Sequence, residues 1–329
     1  MNRQSATADV PPTPARPAAG AAAAHARPTS LWGLQARYAP YLFVAPFVIL
    51  FCAFMVYPLG RSLVMSLYKY SGPRTHRYIG LGHYRFFLTD YLLWIAVANT
   101  IIYTVVYMSL QIPLSLGLAL LLNDRRVRFR NLFRFAFFAP FLVGNVFVSI
   151  IFMLLLAQRH GLIPRAMGLI YPPWLETSWL GDPINARVAI IIASLWLSIG
   201  WGMVYLLAAL QAVDPELYEA AEVDGAGAWS KFRNVTLPGI RPVTTFLIVT
   251  GTIGSLQLFE LPYVIFLQEG GAAGPKWAGL TIVMYLYQQG FEVGDLGAAC
   301  ALGWLLALMI LVVAAFQIRA SRAVREEER

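Results

Sequence analysis

Charge is scarce in this sequence, and that scarcity decides its solvent. Only 13% of its 329 residues are charged, against 58% hydrophobic, and the mean hydropathy is +0.61. That balance excludes an ordinary soluble domain of this length. Cysteine is nearly missing: Cys52 and Cys300 each sit alone within an apolar run, where the expectation is a small buried packing residue, not a disulfide or a metal ligand. The four histidines, His25, His76, His83 and His160, lie outside the apolar runs at no spacing that builds a metal site. No Gly-x-x-x-x-Gly-Lys-Ser/Thr segment occurs, and Lys276 after Gly274-Pro275 has the wrong spacing for one, so the chain carries no nucleotide-hydrolysing loop of its own. Gly-x-Ser-x-Gly and His-Glu-x-x-His segments are missing too, which leaves an embedded hydrolase or metalloprotease without a reactive centre.

What is present is a series of long apolar runs. Six of them read as membrane spans: Ala39 to Gly60, Tyr91 to Asn123, Phe135 to Gln158, Val188 to Val213, Pro242 to Phe259 and Leu296 to Ile318. A spanning helix needs about 20 apolar residues, so the expected fold is an all-α membrane protein of six transmembrane helices. The fifth run is the shortest before a charge, Glu260, yet Leu261 to Gln268 continues apolar and can extend it. Trp277 to Phe291 is too short to cross comfortably, and Tyr285 and Tyr287 suit an interface; a helix lying near the outer surface is expected there.

Orientation follows from the loops. Arg125, Arg126, Arg128, Arg130 and Arg134 crowd the link between the second and third runs, which places that link, and with six spans both termini, in the cytoplasm. Arg61, Lys69, Arg74, Arg77 and Arg85 run against this rule on the outer side. The formal charge of +8 is then topology and lipid contact, with no argument for nucleic acid. Residues 1–38, rich in Ala, Pro and Arg, read as a disordered cytoplasmic tail and not a signal peptide. Residues 39–318 form the membrane domain, and 319–329 a charged cytoplasmic tail.

One loop, residues 214–238 between the fourth and fifth spans, carries more pattern than the rest. Asp214-Pro215 reads as an N-cap followed by a proline at the first helical position, where its missing N–H costs nothing. Gly225 falls where a short helix ends and a left-handed residue is wanted, and Pro238 is expected to close a second short helix. The first arm spaces Glu216, Glu219 and Glu222 by three, with Ala220 and Ala221 offering little bulk to an approaching surface. Its second arm sets Trp229 and Phe232 three apart beside Lys231 and Arg233, an aromatic anchor with a basic rim.

These residues carry a family resemblance. Glu219-Ala220-Ala221, three residues, Gly225, nine residues, then Val235-Thr236-Leu237-Pro238 resembles the EAA loop of permease subunits in ATP-driven importers, with Val235 in place of the usual Ile. Tyr41-Leu42-Phe43-Val44-Ala45-Pro46 leading to Tyr57-Pro58, and Tyr78 to Tyr84 with Gly80-Leu81-Gly82, look like the start of carbohydrate-uptake permeases of the maltose and glycerol-phosphate type. Asn99-Thr100, Phe259-Glu260-Leu261-Pro262-Tyr263, the Gly270 to Pro275 link and Tyr287 to Phe291 are similar to later parts of that family. The resemblance implies a six-span permease whose loop couples to a separate ATPase through Glu219, Ala220, Ala221, Asp224, Gly225, Trp229, Phe232, Leu237 and Pro238. It implies as partners a second homologous permease, a cytoplasmic ATPase dimer that uses ATP and Mg, and an extracytoplasmic sugar-binding protein. This chain itself would hold no cofactor.

Polar groups within spans are expensive and should face a cavity, a partner helix or their own backbone. The pathway candidates are Asn99, Asn145, Ser255, Gln257, Phe259, Glu260 and Tyr263, with Gln111, Ser149 and Ser198 beside them. Amides, hydroxyls and an aromatic face suit a neutral sugar, and Pro262 would loosen the helix next to Glu260. Two other classes stay open. A secondary transporter or channel independent of ATP would call for a charged pair or inverted repeat in the spans. A membrane transferase would need a convergent acid/base set, of which Glu260 is the one candidate.

Overall fold

The computed structural model describes residues 31–70, 76–124, 126–158, 160–172, 178–267, 271 and 273–326, with side chains from Tyr38 to Ser321. Residues 1–30 and 327–329 of the expected tails, Arg125, and Gly270 of the glycine-rich link lie outside the described residues. The chain divides into a unit up to Pro58 and a larger one from Leu59. Leu31 to Tyr38 are helical, where a tail was expected, because α1 (Leu31–Phe51) begins there. One wide turn, Cys52–Val56, follows it. Cys52 is exposed, not buried as its apolar setting suggested. The longer helical stretch Tyr38–Met65, completed by α2 (Tyr57–Met65), is apolar enough to cross a membrane.

The larger unit starts with a feature the all-α expectation omitted. Strands β1 (Tyr68–Tyr70) and β2 (His76–Tyr78) pair antiparallel, with Tyr68 opposite Tyr78 and Tyr70 opposite His76. Helices α3 (Gly82–Thr89) and α4 (Tyr91–Asn123) come next, then α5 (Arg130–Val143), α6 (Asn145–Leu156), α7 (Leu162–Ile170) and α8 (Pro183–Ala212). After them run α9 (Pro215–Val223), α10 (Ala228–Lys231), α11 (Leu237–Leu256), α12 (Glu260–Phe266), α13 (Ile282–Tyr287) and α14 (Leu296–Glu326). Among the described residues four helices are long and apolar enough to span, and up to six spans result if each of two bent pairs counts as one.

Aspartate starts the long helices. Asp90 accepts from Leu92 N at 3.2 Å to cap α4, and Asp182 from Ile184 N and Asn185 N at 2.9 and 3.0 Å to cap α8, with Pro183 behind it. Asp295 does the same for α14, accepting from Gly297 N and Ala298 N at 3.1 and 3.2 Å. Each carboxylate satisfies N–H groups that the first turn leaves without intrahelical partners.

Three sequence expectations change. The third run is not one straight span: α5 and α6 meet at 99° at Gly144, whose φ of +87° only glycine takes without strain. An uninterrupted apolar run hides such a bend. The fourth span begins at Pro183, so Arg187 lies within α8. Trp277 to Phe291 is no surface helix but a short turn, α13 and a wide turn at Gln288–Glu292, with Leu280, Ile282, Met284 and Tyr285 buried against Phe87, Leu93, Ala96 and Leu302. Of its tyrosines Tyr285 is held inside, its OH donating to Asp90 Oδ2, while Tyr287 is half-buried.

Close helix packing depends on small residues, since lipid tails offer no hydrophobic drive between helices. Ala186, Ala189, Ile190 and Ala193 of α8 pack with Tyr103 of α4, Val148 and Phe152 of α6, and Leu261 and Ile265 of α12. Lower down α8, Met203, Leu206 and Leu210 meet Ala119, Ile240 and Leu247. Ser115 Oγ donates across the α4 and α8 seam to Ile199 O at 2.9 Å. Gly200 brings α5 onto α8 so closely that a Cβ there would lie 1.9 Å from Phe137 O, whereas a Cβ at Gly117 meets nothing within 4 Å. Gly200→Ala therefore forces backbone apart and is expected to cost about 1 to 3 kcal/mol or more. Gly117→Ala should gain up to about 1 kcal/mol from helix propensity. Thermal unfolding in detergent compares them, and equal melting points for the two variants would contradict this packing.

Candidate functional site

The elbow after α8 is built as its residues suggest. Asp214 Oδ1 accepts from Glu216 N at 3.0 Å, with Pro215 at the helix start. α9 ends in a left-handed glycine: Gly225 has φ +74°, Ala226 N donates to Ala221 O at 2.9 Å and Gly225 N to Glu222 O at 3.0 Å. This pair of bonds satisfies carbonyls the last turn leaves open. Lys231 Nζ lies 3.2 Å from Glu222 Oε2, and Tyr218 OH shares a 3.0 Å hydrogen bond with Thr236 Oγ1, so the two arms are tied at two points.

Pro238 does not close a helix. The chain continues from α10 through one wide turn, Phe232–Thr236, into α11 with Pro238 in its first turn. The turn before it widens because Leu237 N donates five residues back, to Phe232 O, which relieves the clash a proline ring makes with the carbonyl four residues earlier. Tyr57 N bonds Cys52 O in the same way just before Pro58.

Glu219, Ala220, Asp224 and Gly225 are exposed, Ala221 half-buried, and Leu237 and Pro238 exposed. Trp229 is 72% exposed and stacks near Phe232 with ring centroids 5.5 Å apart. Val223, 88% exposed, and Leu217, 53% exposed, extend the apolar surface. Sequence reasoning passed over these two, although bulky aliphatics among three glutamates were the available signal. Large apolar side chains projecting from a polar loop mark a docking surface.

The second feature is a cavity of about 180 Å³ where α4, α6, α8, α11 and α12 come together. Tyr103 and Tyr107, one turn apart on α4, form one wall, and Ser194 and Ser198 of α8 another. Ser255 and Gln257 close the α11 side, with Gly251 and Gly254 leaving room, while Asn145 and Glu260 stand at the two helix breaks. Asn145 Nδ2 donates to Glu260 Oε2 at 3.3 Å. Ser194, Ser198 and Ser255 donate to carbonyls of their own helices at 2.8, 2.7 and 3.0 Å, so what they offer the cavity is acceptor lone pairs.

Of the expected pathway residues the structure thus brings together Asn145, Ser255, Gln257 and Glu260, with Ser198. It sets three apart. Asn99 is buried, donating to Trp277 O and Leu280 O at 2.7 and 3.0 Å and accepting from Arg187 Nη2 at 3.1 Å. Phe259 and Tyr263 join Tyr287 in an aromatic cluster with centroids 5.1 to 5.2 Å apart. Gln111 bonds Ser115 Oγ at 3.3 Å, and Ser149 its own helix at Asn145 O. The aromatic faces come instead from Tyr103 and Tyr107, whose i, i+4 spacing in an apolar run was the signal.

A helical protein with several apolar, span-length helices, a polar cavity at its helix breaks and an exposed elbow fits the class of membrane transport subunits. Residues 111–326 match the model of the binding-protein-dependent transport system inner membrane components, and the chain belongs to that family, whose members are transporter subunits and not enzymes. It is 34% identical to the arabinooligosaccharides transport system permease protein of Bacillus subtilis (strain 168), over 88% of this chain and 91% of that one. It is 37% identical to the lactose transport system permease protein of Rhizobium radiobacter, covering 86% and 93%. A chain of a bacterial ABC transporter involved in the import of the acidic polysaccharide alginate shares the fold, with TM-score 0.78 and 24% identity over 89% of this chain and 99% of that one. The same transporter in complex with an alginate pentasaccharide-bound periplasmic protein gives TM-score 0.77.

The Glu222 to Lys231 pair tests how much of the elbow is self-supported. Glu222 is largely exposed, and exposed pairs contribute about 0 to 1 kcal/mol. Glu222→Ala should leave the melting point of the chain nearly unchanged, and a fall of more than about 1 kcal/mol in unfolding free energy would show that the pair holds the elbow in shape.

Proposed function

We propose that this chain is one half of the translocation pathway of an ATP-driven, binding-protein-dependent importer of sugars or related polyols. The observation that carries the reading is the elbow: an exposed Glu-Ala-Ala arm ended by Gly225 at φ +74°, beside a protruding Trp229, in a chain with no nucleotide loop of its own. The relatives named for arabinooligosaccharides and lactose support the sugar class. A second homologous permease supplies the other half, a cytoplasmic ATPase dimer using ATP and Mg docks on the elbow, and a sugar-binding protein delivers solute from outside. The related alginate importer, solved with its periplasmic protein, supports the last of these. On this reading the bent pairs each count as one span, giving six, with the elbow between the fourth and fifth and both termini in the cytoplasm.

Coupling follows from rigidity. The Asp214 cap, the Gly225 turn and the Tyr218 to Thr236 bond make the elbow move as one piece, so closure of the ATPases on nucleotide is passed to α8 and α11, which carry cavity residues Ser194, Ser198 and Ser255 with Gln257 just past the end of α11. Nucleotide can drive the change only by favouring one orientation over the other.

The test is mutagenesis of the loop in the assembled importer. A Cβ at Gly225 meets nothing within 4 Å, so the penalty of Gly225→Val is conformational, about 1 to 2 kcal/mol. It should uncouple hydrolysis from uptake or release the ATPase, whereas Gly225→Asn, able to adopt a left-handed φ, should retain most of both. Glu219→Lys should weaken attachment, and the chain purified alone should hydrolyse no ATP. Full ATPase co-purification and full uptake of labelled sugar by vesicles bearing Gly225→Val or Glu219→Lys would sink the coupling assignment.

A further inference from the structure

We infer that Glu260 makes this half of the pathway a charge filter that passes neutral saccharides and rejects those carrying a carboxylate or phosphate. The inference rests on the pathway reading above and adds a selectivity to it. Among the described residues that line the cavity, Glu260 is the one with a formal charge. Most of the hydroxyls around it offer acceptor lone pairs: the three serine hydroxyls spend their protons on their own helices and Tyr103 OH donates to Ala278 O at 2.6 Å, which leaves the Gln257 amide and the Tyr107 hydroxyl as the other groups able to donate. The Asn145 amide, one of the few side-chain donors in the wall, is turned onto Glu260 Oε2. Arg187 lies outside the lining, behind the wall, where it hydrogen-bonds Tyr103 and its Nη2 donates to Asn99 Oδ1.

A sugar hydroxyl donates as readily as it accepts, so a neutral saccharide finds partners throughout this wall while its ring faces meet Tyr103 and Tyr107. An anionic oxygen can only accept, so it gains nothing from the serine lone pairs and meets the like charge of the exposed Glu260 at short range. Asn145 hydrogen-bonds the carboxylate from the opposite break, which places the charge where α6 and α12 meet.

The experiment uses the complete importer in lipid vesicles with its binding protein. Lactose, arabinotriose and maltotriose are offered first, then the aldonate made by oxidising the reducing end of whichever is taken up, which adds one carboxylate to the same saccharide. Affinities of the binding protein for the pair are measured separately, and uptake is compared with that protein loaded. The neutral sugar should be favoured by about tenfold or more. Glu260→Gln, which keeps an acceptor for Asn145, should raise the aldonate-to-neutral uptake ratio about tenfold; an unchanged ratio overturns the filter. If that variant takes up neither solute, Gln257→Lys, which sets a cation beside the carboxylate, must raise the same ratio, and failure to do so also overturns it. A wild-type importer that moves none of the three neutral saccharides would count against the sugar pathway itself, a result separate from any failure of the filter.

Discussion

In a bilayer a helix can break only where the freed backbone groups find partners, and two bent helix pairs of this chain meet beside one cavity. At the α11 break, Gln257 N and Leu258 N bond back to Gly254 O and Ser255 O at 3.1 and 3.2 Å. Leu258 O accepts from the buried Thr281 Oγ1 at 2.7 Å, and that hydroxyl in turn accepts from Met284 N at 3.2 Å. At the α6 break, Gly144 turns the chain and its carbonyl accepts from Val148 N at 3.2 Å. The loop holding Thr281 is itself fastened by Asn99 and Tyr103 of α4. Polar side chains buried in α4 and in that loop thus support a polar opening that no single helix could sustain.

This arrangement explains why cavity and frame share residue types. Asn99 and Glu260 look alike in sequence as polar interruptions of apolar runs. Asn99 spends both its amide functions on backbone carbonyls and Arg187, so it builds the wall from behind. Glu260, exposed and bonded at 3.3 Å to Asn145, belongs to the opening. A site with hydroxyl, amide and aromatic groups around a volume of about 180 Å³ suits weak, reversible contact with a polyhydroxylated solute. Release requires such weakness.

The elbow works by a different economy. No residue of α9 or α10 is fully buried within the chain, yet the backbone is set locally by the Asp214 cap, the Gly225 turn and the Tyr218 to Thr236 bond. Local bonds fix its shape and leave Trp229, Val223 and Leu217 exposed.

Local chemistry made much of this legible in the residues. Long uncharged runs located the four helices that are long and apolar enough to span, because hydrocarbon excludes charge, and Asp214-Pro215 with Gly225 located the elbow because capping and left-handed turns are decided within a few residues. The placement of α4 matched its apolar run to the residue. Tertiary structure decided the rest. A glycine inside an apolar run can bend a helix by 99° or sit quietly within it, as Gly144 and Gly117 do, and only the packed neighbours distinguish the two. Which of Asn99, Asn145, Gln257, Phe259, Glu260 and Tyr263 share a cavity depends on how α6 and α12 cross, a long-range contact. Pro238 shows the same division at smaller scale: the residue announces a disturbance of hydrogen bonding, and its surroundings determine that the disturbance is a widened turn and not an end.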